Sequence, residues 1–408
     1  MIRAFIIRRD LTAGLVLIGA SWLVYWFCAR GFDAGRGDIF YLAQAFTQGR
    51  TWLDFRPGPW DVIAIDGRYY VPFAPFPSIA FAPFAAVVGA VTLDRWEAVI
   101  DAVLAAFDVG LLWALLGRLG VARLVDRFWL AVLFGFSTAM LNITTRGGVW
   151  HTGQLIATLL TFVCLLELWN GQRAWLIGLL AGAAFLTRPP LAFALPFYAL
   201  MIEASREAAP RVEGGFVDRM AVRYPIRQWA VMVATFGVSI AFFFWYDAIR
   251  FGSPFESGYA LAALPEFLER QREMGLFSVR HVPMNLDYLF LKLPTFGDAF
   301  PYLHPDGLGM SVFFTSPGLL LALFAPWRSS RSWWLAGAAI AVLIPTLFYY
   351  GGGWLQYGYR YFLDSIPFVM ALCGLAVAKA GRLSGIWVAA ILFGVLINAI
   401  GVIWVYTG

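Results

Sequence analysis

Residues 11–29, LTAGLVLIGASWLVYWFCA, carry no charged side chain, and similar runs recur as far as residues 386–406 near the C-terminus. Nothing else constrains the fold as much. When helical, about 20 apolar residues match the hydrocarbon thickness of a bilayer, where every backbone N–H and C=O must find its partner inside the protein. A helix satisfies them within the segment. Strands do so only in closed barrels, whose signature is short alternating segments. Long continuous runs therefore predict an all-α, polytopic transmembrane helical bundle. Composition agrees, since 61% of residues are hydrophobic, 13% are charged and the mean hydropathy is +0.71. That balance lies outside the range of water-soluble globules.

The chain holds about 11 spans of this kind. They fall at 11–29, 98–116, 128–143, 153–169, 175–186, 191–202, 229–249, 312–325, 333–350, 362–378 and 386–406. Segment 75–93, PFPSIAFAPFAAVVGAVTL, is long enough to be a further span but is broken by Pro77 and Pro83. Loop charge decides its place. With 75–93 in the interface, every loop on the N-terminal side is basic, from Arg3, Arg8 and Arg9 through Arg118, Arg123 and Arg127 to the five arginines between Arg206 and Arg227. Counted as a span, it would put those five arginines outside, against the positive-inside rule. The segment therefore reads as a juxtamembrane or re-entrant helix. Residues 1–408 then form one transmembrane domain with a cytoplasmic N-terminus, a first external loop at 30–97 and a second at 250–310. The basic start and the long first span, which lacks an A-x-A cleavage pattern, read as an uncleaved anchor, and the expected location is a prokaryotic-type plasma membrane. The net charge of +5 reads as orientation, and no nucleic-acid partner is expected. Cys28, Cys164 and Cys373 all sit in apolar runs and read as packing.

Chemistry is expected in the first loop, where Asp38, Asp54, Asp61 and Asp66 mix with Arg36, Arg50, Arg56 and Arg68. Asp38 heads a helix-periodic stretch stopped by Gly49. It either complements that helix's dipole or acts as a general base or metal ligand at the bilayer surface. Asp66-Gly67 is a turn signal. Arg56 and Arg68 either hold a phosphate or anchor the loop at the headgroups. Pro189 pushes Arg188 out of helical geometry, so the fifth span ends there on a cation that either binds phosphate or snorkels. Arg360 sits among Tyr357, Tyr359 and Tyr361, with Asp364 one turn later as an intrahelical ion-pair partner. His151 falls in a short turn at 144–152, as a base, a metal ligand or an interface residue. PEFLERQREMG at 265–275 reads as a short polar helix opened by proline and closed by glycine. Asp101 and Asp108 share one face of the second span and would suit a proton path. Glu167 and Asp247, near span ends, read as solvated.

These motifs together resemble the GT-C glycosyltransferases, in particular the aminoarabinose and protein O-mannosyl transferase relatives. The resemblance rests on an acid after the first span, an interfacial helix ending in Gly, a Tyr-rich turn and a Pro-x-Pro segment. Further matches are GVWHTGQ at 148–154, LAGAAFLTRPP at 180–190, FGSPFESGY at 251–259, FFTSPGLLLAL at 313–323 and YGYRYFLDSIPF at 357–368. They cover most of the chain in order. The resemblance implies transfer of a sugar from a polyprenyl-phosphate-linked donor to a glycan, lipid or protein acceptor at the extracytoplasmic face, with inversion. Asp38 matches the family's first-loop acid. Loss of the donor phosphate needs charge stabilisation, for which Arg56, Arg68, Arg188 and Arg360 are the expected ligands. Tyr69, Tyr70, His151, Tyr357 and Tyr359 are expected near the substrate, and a divalent cation, Mg or Mn, would use Asp38 and His151. The chain departs from the pattern in three places. Ile39 stands where many relatives have a second carboxylate, Ala74 where a basic residue precedes the Pro-Pro-like element, and Arg146, Trp150 and His151 where some carry an acid. The alternative reading is a transporter or flippase for a lipid-linked or anionic solute using Asp101 and Asp108. A third is a non-catalytic subunit of an envelope-assembly complex.

Overall fold

The computed structural model describes residues 2–30, 37–204, 225–298, 300–354 and 356–407. Its apolar runs are helical. In chain order come α1 (Ile2–Ala29), α2 (Asp38–Thr47), the hairpin β1 (Ile63–Ile65) and β2 (Arg68–Tyr70), α3 (Phe76–Val88), α4 (Ala90–Arg95) and α5 (Glu97–Arg118). Then follow α6 (Leu124–Phe136), α7 (Ala139–Arg146), α8 (Val149–Trp169), α9 (Ala174–Phe185), a 3-10 segment (Pro189–Ala194) and α10 (Leu195–Ala204). The remainder is α11 (Ile226–Phe251), α12 (Glu266–Arg272), α13 (Val282–Leu286), the hairpin β3 (Thr295–Phe296) and β4 (Leu303–His304), α14 (Val312–Thr315), a 3-10 segment (Pro317–Phe324), α15 (Ser330–Phe348), α16 (Ile366–Ala380) and α17 (Gly385–Thr407).

Among the described residues, six helices (α1, α5, α8, α11, α15 and α17) are long and apolar enough to cross a bilayer, and α6 with α7 makes a seventh if that pair is one span. The chain is a helical membrane protein. The predicted span at 128–143 is in fact two helices meeting at 52°. The break has a local cause: Thr138 is extended (φ −137°, ψ 177°), and its hydroxyl accepts the Met140 N–H, opening α7 with an N-cap. Prolines shorten other predicted spans. Pro189 and Pro317 each open a 3-10 segment, which takes the first residues of the expected span at 191–202 and most of the one at 312–325. Segment 75–93 divides at Gly89 (φ +80°) into α3 and α4, neither long enough alone to cross. The predicted helix at 265–275 is α12, opened at Pro265 and followed by Gly275 (φ +107°). Arg36, Arg206, Arg211, Arg219 and Arg223 lie outside the described residues.

The bundle packs α1 on α5, α5 on α8, α9 on α11, and α16 on the 317–324 segment. Small residues permit the closest approach. A Cβ at Gly178 of α9 would collide with the Met232 carbonyl and the Thr235 hydroxyl of α11. Gly178→Ala should therefore lower stability by about 1–3 kcal/mol, read as a drop in thermal midpoint in detergent. An unchanged midpoint would mean that α9 and α11 do not meet this way.

Ion pairs bind the two ends of the bundle. At one end, Asp10 of α1 accepts from Arg127 of α6 (2.8 and 2.9 Å) and from Trp113 of α5 (2.9 Å). Glu167 is 5% exposed and pairs with Arg173 at 2.8 Å, and Asp247 is 2% exposed and lies 3.8 Å from Arg250. Both acids are thus buried and paired, not solvated as the sequence suggested. Arg250 also ties the 37–97 segment to α11. Its Nη2 donates to the Val71 carbonyl (2.5 Å), and its guanidinium lies 4.4 Å from the Tyr246 ring centre and 4.6 Å from that of Phe251. Within the segment, α2 packs on α3. The β1–β2 hairpin closes through Asp66 (φ 48°) and Gly67 (φ 75°), the two left-handed positions that a two-residue hairpin turn demands.

Candidate functional site

A cavity of about 450 Å³ opens where the 37–97 segment, the start of α8, the Arg188 turn, the 257–277 region and the 345–361 connection converge. Each wall follows from local sequence. Gly147 (φ +65°) and Gly148 (φ +100°) turn the chain sharply between α7 and α8, so Arg146 ends one helix and His151 lies in the first turn of the next. The expected loop at 144–152 is therefore mostly helical, because the glycine pair alone makes the reversal. Arg188 is extended (φ −140°, ψ 100°), as its position before Pro189 requires. The connection from α15 to α16 brings Tyr349, Tyr350, Trp354, Arg360 and Tyr361 to the lining.

Three arginines line this cavity, and they differ in partners. Arg188 is neutralised by Asp364, with Nε 3.1 and 3.0 Å from its two oxygens and Nη2 2.7 Å from Oδ2. Asp364 is buried, its side chain 1% exposed, and Arg188 is half-buried at 17% where it meets the cavity. Asp364 thus serves Arg188 and not Arg360, its partner by helical spacing. Arg360 is 7% exposed and its Nε has no hydrogen-bond partner. Its backbone is fixed instead: the N–H donates to Gln356 Oε1 (3.1 Å) and the carbonyl accepts from Gln154 Nε2 (2.9 Å). The Tyr361 ring centre lies 5.3 Å from the Arg188 guanidinium and 5.2 Å from that of Arg360, so one aromatic ring serves both cations. Arg146 lies 5.6 Å from the Trp404 ring and close enough to Arg360 for the two charges to interact.

His151 Nδ1 sits 2.6 Å from the Gly147 carbonyl. A carbonyl only accepts, so Nδ1 carries a proton, and in the neutral imidazole Nε2 is left as the acceptor. Asp61 lines the cavity in a left-handed conformation (φ 54°), its N–H donating to the Ala263 carbonyl (2.8 Å). Its carboxylate lies near enough to Tyr259 and Tyr350 for its charge to act on both phenols. Burial, more than that charge, pushes the Tyr259 hydroxyl above the ordinary phenol range, so it stays a donor at neutral pH.

Of the residues singled out from sequence, His151, Arg188 and Arg360 meet in the cavity. The others stand elsewhere. Asp38 is 1% exposed at the start of α2, beside the lining residues Ile39 and Leu42 but not itself among them. Arg56 is exposed and clips its own turn, donating to the Gly58 (3.0 Å) and Pro59 (2.7 Å) carbonyls. Arg68 is also exposed, over the Trp52 ring at 4.2 Å. Tyr69 is half-buried beside Leu53, and Tyr70 packs on Phe251 with ring centres 5.5 Å apart. Tyr357 is fully buried against α17 and Tyr359 is 3% exposed in the bundle core. Asp61, Arg146, Tyr259 and Tyr350 join the site without having been favoured. For the tyrosines, the only sequence signal was aromatic pairs or singlets beside glycine.

Two further acids stay apart from the cavity. Asp101 and Asp108 are completely buried in α5, and neither lines it. The Thr152 hydroxyl reaches Asp101 Oδ1 at 2.8 Å and Glu97 Oε1 at 3.3 Å, while neither oxygen of Asp108 has a hydrogen-bond partner. Among the described residues no three His, Cys, Asp or Glu side chains converge as metal ligands. A divalent cation at His151 would also face Arg146 and Arg360, whose charges act on that imidazole. The residues present do not fit a cation there. Comparison with models of known families, with curated proteins and with solved structures found no match.

Proposed function

We propose that the chain is a GT-C-like glycosyltransferase of about 11 spans that moves a sugar from a polyprenyl-phosphate-linked donor to an acceptor hydroxyl at the extracytoplasmic face. One observation carries this reading: a buried guanidinium, Arg360, with an unsatisfied Nε, beside a 450 Å³ cavity whose other walls are largely apolar and aromatic. A buried cation of this kind calls for an anion. Aromatic faces and phenol donors such as Tyr259, Tyr350 and Trp354 suit a ring bearing hydroxyls, and the apolar lining suits a hydrocarbon chain.

In the proposed reaction the acceptor oxygen bonds to the anomeric carbon as the bond from that carbon to the phosphate oxygen breaks. The polyprenyl phosphate departs with the electron pair, and Arg360, with Arg146 near it, stabilises the charge that grows on the phosphate. Attack opposite the leaving group inverts the anomeric configuration. The acceptor's proton passes to a carboxylate. We assign that role to Asp61, which lines the cavity, in preference to Asp38, which does not. The transporter reading draws less support, because Asp101 and Asp108 lie away from the cavity's lining.

The test uses purified protein, a radiolabelled polyprenyl-phosphate sugar and a panel of acceptors, comparing the parent with Asp61→Asn and Asp38→Asn. Loss of about 100-fold or more in turnover is expected for Asp61→Asn, in the range of a missing general base. A dead Asp38→Asn with an active Asp61→Asn would return the base to Asp38. Solute uptake in vesicles that depends on Asp108, with no transfer from any donor, would replace the reading with transport.

A further inference from the structure

We propose that the β3–β4 hairpin is a membrane-surface anchor, with Phe296, Phe300 and Tyr302 seated in the headgroup layer on the cavity's side of the bilayer. The observation behind it is exposure. Phe296 is 82%, Phe300 60% and Tyr302 57% exposed, and Leu291 (70%) and Leu293 (58%) just before the hairpin are exposed as well. A water-facing loop does not usually carry so dense an apolar patch without a cover.

The base of the hairpin indicates the cover. Leu303 of β4 clusters with Ile397, Ile400 and Trp404, which lie in the last turns of the membrane-crossing helix α17. Two bonds of Ser311 fix the segment that leads into β3: its hydroxyl donates to the Phe290 carbonyl (2.6 Å) and its N–H to the Lys292 carbonyl (2.8 Å). The hairpin is therefore held beside the end of a span. Its apolar surface also continues one that has to face lipid. Phe290 stacks on Phe313 with ring centres 5.2 Å apart, and Phe314 meets Phe393 of α17 at 5.8 Å. Phe313, Phe393 and Leu396 are 48%, 43% and 60% exposed.

Aromatic side chains at the level where a span ends favour the headgroup layer, and charges flanking them stay in water. Lys292 and Asp306 supply such charges, paired at 3.0 Å beside the hairpin. A soluble protein partner would not need the patch to run into the span's lipid-facing side. The anchor would also hold the connection around Gln356, which reaches the 307–308 carbonyls, at a set height above the bilayer.

The experiment uses the full chain in lipid nanodiscs, with Cys28 replaced by Ala and the buried Cys164 and Cys373 kept. An environment-sensitive fluorophore is attached at Phe300→Cys, at Tyr302→Cys (which keeps both phenylalanines) and, as a control, at Arg270→Cys on exposed α12. Anchoring predicts that labels at 300 and 302 lose emission when the lipid carries a nitroxide near its headgroup and resist aqueous iodide. The label at 270 should do the reverse. Iodide quenching at 302 equal to that at 270, in protein melting like the parent, would overturn the proposal. Energy transfer between labels on different copies in one disc, with no lipid quenching, would assign the patch to a second copy and also overturn it.

Discussion

Arg360→Ala is expected to weaken binding of a polyprenyl-phosphate-linked sugar by about 10- to 150-fold for each charge-assisted hydrogen bond lost, at roughly 1.5–3 kcal/mol per bond. The fold should survive, because residue 360 is held through its backbone by Gln154 and Gln356 and not through its guanidinium. Truncation even removes a buried cation whose Nε has no partner, so the thermal midpoint without ligand should be unchanged or higher. Arg360→Lys keeps the charge but loses the planar fork, and an intermediate affinity is expected. Equilibrium binding of labelled donor, read together with melting curves, checks both effects. Unaltered affinity in Arg360→Ala would remove the anion site and the reading built on it.

The second large effect concerns Arg188 and carries the opposite signature. Arg188→Ala would strand the Asp364 carboxylate, and Asp364→Leu would strand the guanidinium. Either should cost on the order of 3–5 kcal/mol of stability, the usual penalty for removing one partner of a buried pair. The double variant Arg188→Ala with Asp364→Leu should cost less than the two single changes added together. A thermodynamic cycle on thermal or denaturant unfolding measures that coupling. If Arg188→Ala instead melted like the parent and lost donor binding, Arg188 would belong with Arg360 as an anion ligand and not with the scaffold.

These contrasting arginines show what sequence can and cannot carry. The existence of the helices was legible because length and hydrophobicity are local properties. The break between α6 and α7 was not, since Ser137-Thr138 contains neither proline nor glycine and is set by a hydroxyl cap. Arg188's extended backbone could be read from the following proline. Its partner could not, because Asp364 lies 176 residues away and helical spacing offered Arg360 as the nearer choice. The 360–364 segment is 3-10, which turns the two side chains away from the α-helical register. His151 was misread as a loop residue although Gly147-Gly148 was in plain view, since such a pair signals a turn without saying how soon the next helix begins. Asp61 was one of four acids in the first loop, and only its left-handed backbone and the Ala263 bond set it on the cavity wall.

The cavity's walls run from Ile39 to Tyr361, which has a consequence for biogenesis. At about 5–20 residues per second, the ribosome needs roughly 15 to 60 s between making Asp61 and making Arg360. In the later part of that interval, once Arg188 has been made, the first loop and the Arg188 turn exist while the buried guanidinium and the Asp364 partner do not. A nascent or C-terminally truncated chain would therefore hold Arg188 uncompensated. Competence to bind an anionic lipid should arise in a single late step, when the α15–α16 connection seats against α8.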